Sequence, residues 1–275
     1  MNNYQIPGKS GLPITFSIDY PTVGDNFPLI IFLHGFKGFK DWGHWPLMAK
    51  KLADKGFAVL RMNFSHNGTT PDNPLDFADL NAFGNNTFSK EIQDVQDVMN
   101  WIFSTESIYS KCNVEDINLL AHSRGGAVAV ITAHEDNRVN RLITLSGVGT
   151  LVRYSDEELA HWKKEGVVYM MNGRTHQNMP LYYGLAEDYY QNEARFNIME
   201  IIANVFQPYL VLHAAEDETV PLHEGKKLAD AGPSTTLKVI PGANHSFGGG
   251  HPFLSKELPK DSLIAVDLIA DFLSN

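Results

Sequence analysis

One serine of this sequence stands where an apolar run meets a stretch of small residues. Residues 119–129 read LLAHSRGGAVA, which predicts a strand, a sharp turn at Ser123 and then a helix. In such a turn the residues two before and two after the serine must be small, because the strand and helix backbones approach each other there. Ala121 and Gly125 meet this requirement, although Ala121 stands where the G-x-S-x-G pattern has glycine. The stretch predicts a serine nucleophile at position 123.

Two later loops carry the partners that such a serine needs. A serine hydroxyl is a weak nucleophile at neutral pH, so it requires an adjacent base, which a carboxylate holds in place. Residues 214–221 read AAEDETVP and residues 241–248 read PGANHSFG, and each loop follows a predicted strand. We therefore expect the acid among the carboxylates of the first loop and the base at His245, the one histidine of the second.

Two residues leave an alternative open for the acid. Glu216 and Glu218 flank Asp217, and either carboxylate has the right chemistry to hold a histidine. The spacing to Val220-Pro221 favours Asp217.

The elements that must position these residues alternate between short apolar runs and longer amphipathic stretches. This alternation predicts a mostly parallel α/β sheet, and strands buried on both faces have continuous apolar sequences. We predict strands at Ile14–Ile18, Leu29–Leu33, Phe57–Met62, Ile117–Ala121, Leu142–Leu145, Tyr209–His213 and Leu237–Ile240. We predict helices after Trp45, along Ile92–Ile102 with a spacing near 3.6, from Arg124 onward and from about Asp261 to Leu273.

The stretch from Thr150 to Asn197 interrupts this alternation. It is rich in aromatic residues and methionine, and no segment of it reads as a convincing strand. Residues 155–158 read SDEE, which fits a capping box at the start of a helix. We predict an α/β core of residues 1–149 and 198–275, with residues 150–197 inserted as a helical cap.

Four motifs in this order resemble the α/β-hydrolase family of serine hydrolases. They are LHGF at 33–36, the turn at Ser123, DETVP at 217–221 and GANH at 242–245, so the resemblance covers the chain from about residue 29 to 247. The order serine, acid, histidine is that of this family. Within it, the sequence is most similar to the esterase, dienelactone-hydrolase and serine-aminopeptidase-like branch.

The resemblance implies a fold and a set of roles. The fold would be a doubly wound, mostly parallel sheet with a cap over the nucleophile. Ser123 would be the nucleophile, Asp217 the acid and His245 the base, and the backbone N–H groups of Phe36 and Arg124 would form the oxyanion hole. Because caps of this family cover the nucleophile, we expect substrate contacts from these cap residues: Trp162, Tyr169, Tyr182 and Tyr183. His34 and His122 sit beside the predicted site residues and are further candidates for substrate contact.

We expect a hydrolase that cleaves a small carboxylic ester through an acyl-enzyme. An aromatic-rich cap fits an apolar or aryl acyl group, as in cinnamoyl-type esterases. The same triad also serves amidases, thioesterases and aminopeptidases, and a relative without activity would use the pocket for binding alone. An aminopeptidase would need a carboxylate near the substrate amine, and the cap supplies these candidates: Glu157, Glu158, Glu187 and Asp188.

Composition restricts the partners. With 22 Lys+Arg against 32 Asp+Glu the formal net charge is −10, which disfavours nucleic acid and anionic membranes. The 11 histidines show no metal-binding spacing, Cys112 is the only cysteine, and no glycine loop fits a nucleotide. We therefore expect a small-molecule ester or amide substrate without a metal or cofactor. The absence of a signal sequence or spanning segment predicts a cytoplasmic protein, and the sequence gives no oligomeric state.

Overall fold

A computed structural model describes residues 2–152 and 154–275, and the strands are numbered in chain order. They are β1 (Asn2–Pro7), β2 (Pro13–Asp19), β3 (Phe27–Leu33), β4 (Ala58–Met62), β5 (Cys112–His122), β6 (Val139–Leu145), β7 (Val167–Met171), β8 (Asn178–Tyr182), β9 (Tyr209–Ala214) and β10 (Thr235–Ile240). In the described chain, eight of them form one sheet in the order β1-β2-β4-β3-β5-β6-β9-β10. Across the sheet, each neighbouring pair in the run β4-β3-β5-β6-β9-β10 is parallel, whereas β2 is antiparallel to β1 and to β4.

Helices connect the strands and cover both faces of the sheet. They are α1 (Trp45–Asp54), α2 (Leu80–Gly84), α3 (Phe88–Ser104), α4 (Glu106–Tyr109), α5 (Arg124–Glu135), α6 (Asp156–Glu165), α7 (Gly184–Gln191), α8 (Glu193–Phe196), α9 (Ile198–Ile202), α10 (Leu222–Ala231) and α11 (Lys260–Ser274). The predicted mostly parallel α/β sheet is confirmed. Each strand predicted from the sequence is present, and so are the four predicted helices.

Two apolar clusters, one on each face of the sheet, explain why the central strands have continuous apolar sequences. Along β3, Leu29, Ile31 and Leu33 belong to one cluster, while Ile30 and Phe32 belong to the other. Helices α3 and α5 contribute to the first cluster, and α1 and α11 contribute to the second. Because successive side chains of a strand point to opposite faces, both sets must be apolar.

The insertion lies between β6 and β9, and its content corrects one expectation. We expected no strand from Thr150 to Asn197, but β7 and β8 form an antiparallel hairpin there. β7 is a short apolar run, VVYMM, whose last three residues are exposed, unlike the buried runs of the core strands. The capping box is confirmed, since the Ser155 hydroxyl accepts from the Glu158 amide and the Glu158 carboxylate accepts from the Ser155 amide.

Contacts with the core hold the hairpin and α7 in place. The ring of Tyr182 covers Gly84, and a Cβ atom added to Gly84 would lie 2.9 Å from that ring. The Tyr182 hydroxyl donates a hydrogen bond to the side chain of Asn81 at 3.2 Å. Asp188 on α7 accepts hydrogen bonds from the amide and the hydroxyl of Ser89, at 2.9 and 2.5 Å. The division into a core and a cap at residues 150 and 197 stays a prediction. Within the described residues, no helix is long and apolar enough to cross a membrane.

Asp94 on α3 is a buried carboxyl group with an incomplete set of partners. Its Oδ2 accepts a hydrogen bond from the Ser65 amide at 2.7 Å, while Oδ1 has no partner among the described residues. Burial raises the pKa of this carboxyl from 3.8 to about 7, against the hydrogen bonds from Ser65 that lower it. Between about pH 4 and 7 the folded protein therefore keeps a proton that the unfolded chain releases, and its stability falls as pH rises through that window.

Replacing this carboxyl with an amide tests the burial cost. Asp94→Asn keeps an oxygen for the Ser65 amide and cannot ionise. As the pH rises from 5 to 8, the unfolding free energy of the variant should therefore increase relative to that of the wild type by on the order of 2 kcal/mol. Urea denaturation at both pH values measures the difference. Asp230→Asn, at an exposed position of α10, serves as the control. Parallel pH profiles for wild type and Asp94→Asn would contradict the assignment.

Candidate functional site

Ser123 lies at the corner between β5 and α5 in a strained backbone conformation. Its φ of 54° and ψ of −122° are rare for a residue with a side chain. Backbone hydrogen bonds hold it there: its amide donates to Leu145 at 2.9 Å, and its carbonyl accepts from Gly126 at 2.9 Å and from Val148 at 3.3 Å. Strain of this kind persists only where the surroundings impose it, and it is concentrated at functional sites.

Glycines permit the close packing around this corner. A Cβ atom on Gly125 would lie 2.6 Å from the carbonyl oxygen of His34 and 2.9 Å from that of Leu33. One on Gly35 would lie 2.9 Å from the Cβ of Ser123. The expectation of a small residue two positions after the serine is thus met by direct backbone contact between α5 and the end of β3.

Ser123, His245 and Asp217 form a continuous hydrogen-bonded chain. The Nδ1 of His245 lies 2.7 Å from Oδ2 of Asp217, and its Nε2 lies 3.1 Å from Oγ of Ser123. An ionised carboxylate only accepts hydrogen bonds, so Nδ1 carries the proton in the neutral ring. Nε2 is then free to accept the hydroxyl proton of Ser123.

Asp217 is held as a carboxylate by its loop. Its Oδ1 accepts hydrogen bonds from the amides of Thr219 at 2.9 Å and Val220 at 2.7 Å. Burial alone would raise the pKa of this carboxyl, but the hydrogen bonds from His245 and Val220 outweigh it and lower the pKa to about 2. Glu216 and Glu218 are exposed, so Asp217 is the carboxyl of this loop that the structure brings to the histidine.

Two further histidines support the site from behind. The Nε2–H of His122 donates to the carbonyl of His245 at 2.9 Å, and the two rings lie 4.7 Å apart. Burial, and then the charge of a protonated His245, lower the pKa of His122 to about 3. His34 is buried, donates from Nδ1 to the Gly35 carbonyl at 2.9 Å and accepts the Phe64 amide at 3.4 Å. His122 lines the larger of the two cavities described next, and His34 is not among the described residues that line either of them.

Two cavities meet at Ser123. One, of about 370 Å³, is mainly apolar and is enclosed by the insertion and α5. The other, of about 550 Å³, contains His245 and is enclosed by the loops after β3 and β10 and by the hairpin turn. Phe36, Ser123, Met170 and Thr219 line both. A molecule bound at Ser123 would therefore extend into both spaces.

Of the four cap residues expected to contact substrate, Trp162 lines a described cavity and the three tyrosines do not. Trp162 lines the apolar cavity, and its indole N–H donates to the Leu181 carbonyl at 2.8 Å. Tyr169 is 63% exposed, Tyr182 covers Gly84, and Tyr183 packs on Trp162 with ring centres 6.1 Å apart. These three tyrosines are not among the residues described as lining either cavity.

Sequence reasoning missed several lining residues. Met170 follows Tyr169 on β7, and the alternation of a strand places it on the opposite face, toward Ser123. Recognition of the hairpin would have found it. Trp42, Arg174 and His251 also line the larger cavity, and no local pattern connects these distant positions.

Phe36 and Arg124, whose amides are predicted to form an oxyanion hole, line the apolar cavity together with Ser123, and the role of the two amides stays a prediction. The turn of residues 35–38 is closed by a hydrogen bond from the Gly38 amide to the Gly35 carbonyl at 3.0 Å, which places Phe36 beside the corner. Arg124 is the first residue of α5, so its amide has no acceptor within the helix. The Arg124 guanidinium pairs with the buried Glu91 at 2.5 Å and lies 4.6 Å from the ring centre of Phe36.

Other candidate chemistries have less support in the described residues. Cys112 is buried at the opposite end of β5 from Ser123, and burial raises the pKa of its thiol to about 12, so it is not an activated nucleophile. Within residues 2–152 and 154–275, no group of three or more His, Cys, Asp or Glu could hold a metal ion. The expectation that no metal or cofactor takes part stays a prediction.

Known proteins share the family and the fold of this chain. Residues 30–256 match the alpha/beta hydrolase family. The chain belongs to this family. It is 24% identical over 274 residues to YDL057W, an uncharacterised protein of Saccharomyces cerevisiae, covering 90% of this chain and 79% of the relative.

Solved structures share the fold at low sequence identity. Est1E from Butyrivibrio proteoclasticus superposes with a TM-score of 0.72 at 17% identity, covering 100% of this chain and 98% of that one. The same protein with bound ferulic acid gives a TM-score of 0.75 at 18% identity over 98% of both chains. DcsB in complex with its substrate analogue gives a TM-score of 0.73 at 17% identity, covering 99% of this chain and 98% of DcsB.

A methyl group at the corner tests the close contact between α5 and β3. Gly125→Ala should lower the unfolding free energy by about 1–3 kcal/mol, because backbone oxygens occupy the space its Cβ needs. Gly184→Ala, at the first position of α7 with no atom within 4 Å of its Cβ, should change it by less than about 0.5 kcal/mol. Urea denaturation measures both, and equal values would contradict this reading of the corner.

Proposed function

We propose that this protein is a serine carboxylesterase that hydrolyses a small carboxylic ester through an acyl-enzyme. The observation that carries the proposal is the hydrogen-bonded chain of Ser123, His245 and Asp217 at the meeting point of two cavities. A strained serine whose Oγ lies 3.1 Å from the Nε2 of a histidine has the geometry of an activated nucleophile.

The first half of the reaction acylates the serine. His245 Nε2 takes the hydroxyl proton as Ser123 Oγ attacks the carbonyl carbon of the ester. The oxyanion formed accepts hydrogen bonds from the amides of Phe36 and Arg124, and each such donor contributes about 3–4 kcal/mol to the barrier reduction. His245 then donates the proton to the leaving oxygen, and the bond between that oxygen and the acyl carbon breaks.

The second half releases the acid. His245 takes a proton from water, whose oxygen attacks the acyl carbon, and then returns a proton to Ser123 as the acid leaves. Asp217 holds the Nδ1–H tautomer of His245 throughout and stabilises the imidazolium formed at each step. With its pKa near 2, Asp217 stays ionised over the physiological pH range.

We use the position of His245 to assign one cavity to the leaving group and the other to the acyl group. The leaving oxygen must lie within reach of Nε2, so the leaving group occupies the larger cavity, which His245 lines. The acyl group then extends into the apolar cavity, whose walls include Trp162, Tyr154 and Leu185. These walls favour an apolar or aryl acyl group. The fold likeness to Est1E with bound ferulic acid, itself an aryl carboxylic acid, makes aryl esters the first substrates to test.

The cap carboxylates disfavour the aminopeptidase alternative. No Asp or Glu is among the described residues that line either cavity. Asp188 is occupied by Ser89, Glu158 closes the capping box, and Glu157 and Glu187 are exposed. An α-amino group would find no carboxylate there. Amide and thioester cleavage would use the same hydrogen-bonded chain, and a substrate panel separates them from ester cleavage.

Removing the nucleophile is the first test. Ser123→Ala should abolish both labelling by a fluorophosphonate probe and turnover of p-nitrophenyl butanoate, because Ser123 is the serine whose hydroxyl is hydrogen-bonded to His245 within the described residues. Ser107→Ala, at an exposed position of α4, should retain both. Labelling of Ser123→Ala at the wild-type level would overturn the proposal, and labelled wild type without turnover of esters, amides or thioesters would favour a non-catalytic relative.

The choice of acid gives a second test. Asp217→Asn should lower kcat by about 10³–10⁴-fold, because the amide favours the wrong tautomer of His245. Glu218→Gln changes an exposed neighbour in the same loop and should keep kcat within about twofold of wild type. Equal losses in the two variants would contradict the role of Asp217.

A further inference from the structure

The larger cavity contrasts in charge with the rest of the chain. The protein has a formal net charge of −10, yet no carboxylate is among the described residues lining this cavity, whereas Lys37 and Arg174 both line it. Asp217 lies behind His245 and is engaged by it. A space bordered by cations in an acidic protein is electrostatically matched to an anion.

Lys37 is the less compensated of the two cations. Its side chain is half-buried, and within the described residues no carboxylate lies within 4 Å of its ammonium group. The ammonium stands 5.7 Å from the ring centre of Phe36. Lys37 also has a φ of 54° in the turn of residues 35–38, a position where glycine would be less costly. Lys37 therefore brings a cation to the cavity that Ser123 also lines.

Arg174 reaches the same cavity from the hairpin turn. Its guanidinium pairs with Asp76 at 2.7 Å, but the Asp76 side chain is 61% exposed, so water weakens that pair. His251 lines the same space and accepts the Gly43 amide at Nδ1 at 2.9 Å, which leaves Nε2–H as a donor. Burial, followed by the charge of Arg174, lowers the pKa of His251, so it acts as a neutral donor.

Flat aromatic walls complete the cavity. Trp42, Trp45 and Phe77 line it, and the Trp42 ring stacks on His251 with centres 6.1 Å apart. Aromatic surfaces favour a planar apolar group, and the two cations and the N–H donor line the same cavity. The cavity therefore combines recognition of a ring with recognition of a negative charge.

We propose that the leaving group is an aryl alcohol that carries a carboxylate, bound in the larger cavity with its charge near Lys37 and Arg174. This inference rests on the proposed esterase function, because His245 assigns this cavity to the leaving group. The reaction consumes one ester and one water: the acyl carbon–oxygen bond breaks, the proton of Ser123 passes through His245 to the phenolic oxygen, and water supplies the oxygen of the released acid. The products are an apolar or aryl acid and a hydroxyaryl carboxylate.

A pair of esters with the same acyl group tests the charge preference. 4-Carboxyphenyl butanoate and 4-carbamoylphenyl butanoate differ only in the charge at the distal group, and division of each kcat/KM by the rate of hydroxide hydrolysis removes the difference in leaving ability. The wild type should favour the carboxylate by about tenfold, since hydrogen bonds to charged groups are stronger than neutral ones. Raising NaCl from about 0.05 to 0.5 M should reduce the preference.

Variants locate the source of the preference. Lys37→Gln and Arg174→Gln should each reduce the ratio of the two kcat/KM values at least threefold, whereas Lys256→Gln, at an exposed position elsewhere, should leave it unchanged. The ratio is the readout because a disturbance of the turn at Phe36 slows both esters alike. Lys37→Glu should shift selectivity toward 4-(trimethylammonio)phenyl butanoate.

The outcomes separate this inference from the proposed function. Turnover of the neutral ester with a wild-type preference below threefold, or a preference that neither glutamine variant lowers, would overturn the anionic leaving group and leave the esterase intact. No turnover of any ester by the wild type would overturn the proposed function itself. If a glutamine variant fails to fold, the ratio of the two kcat/KM values for the wild type and the salt dependence of that ratio still decide whether the cavity prefers an anionic leaving group.

Discussion

The close contact between the start of α5 and the end of β3 is the constraint on which the site depends. Gly125 brings the helix so near to the carbonyl oxygens of Leu33 and His34 that a single methyl group would lie 2.6 Å from one of them. Ser123, two residues before Gly125 at the same corner, has a φ of 54°. The strain is stabilised by the sheet around it, since the Ser123 amide bonds to the end of β6.

Parallel pairing then determines what meets the serine. The strands β3, β5, β9 and β10 all run in one direction, so the loops after them lie at the same edge of the sheet. Those loops carry Phe36, Ser123, Asp217 and His245. His122 adds a hydrogen bond to the carbonyl of His245 and joins the last loop to the corner. The candidate catalytic groups are thus positioned by the core sheet, while the insertion and the loop at Gly38–His44 line the space around them.

The core and the candidate site residues could be predicted from the sequence because both depend on local patterns. Continuous apolar runs mark strands that are covered on both faces, and Gly125 marks the place where backbones touch. The insertion was harder to read. The exposed end of β7 lacks the alternation of a half-buried strand, so the hairpin was missed, and with it the difference between the outward Tyr169 and the inward Met170.

By itself, the sequence determined the type of fold, the identity of Ser123, His245 and Asp217 as candidates, and the order in which they occur, since these follow from short motifs and strand ends. Only the tertiary structure decided between Asp217 and its flanking glutamates, through a 2.7 Å hydrogen bond to His245. Only the structure brought Lys37, Arg174 and His251 to one cavity. The physical reason is distance along the chain: these residues belong to separate loops, and nothing in the local pattern of any of them encodes the packing that makes them neighbours.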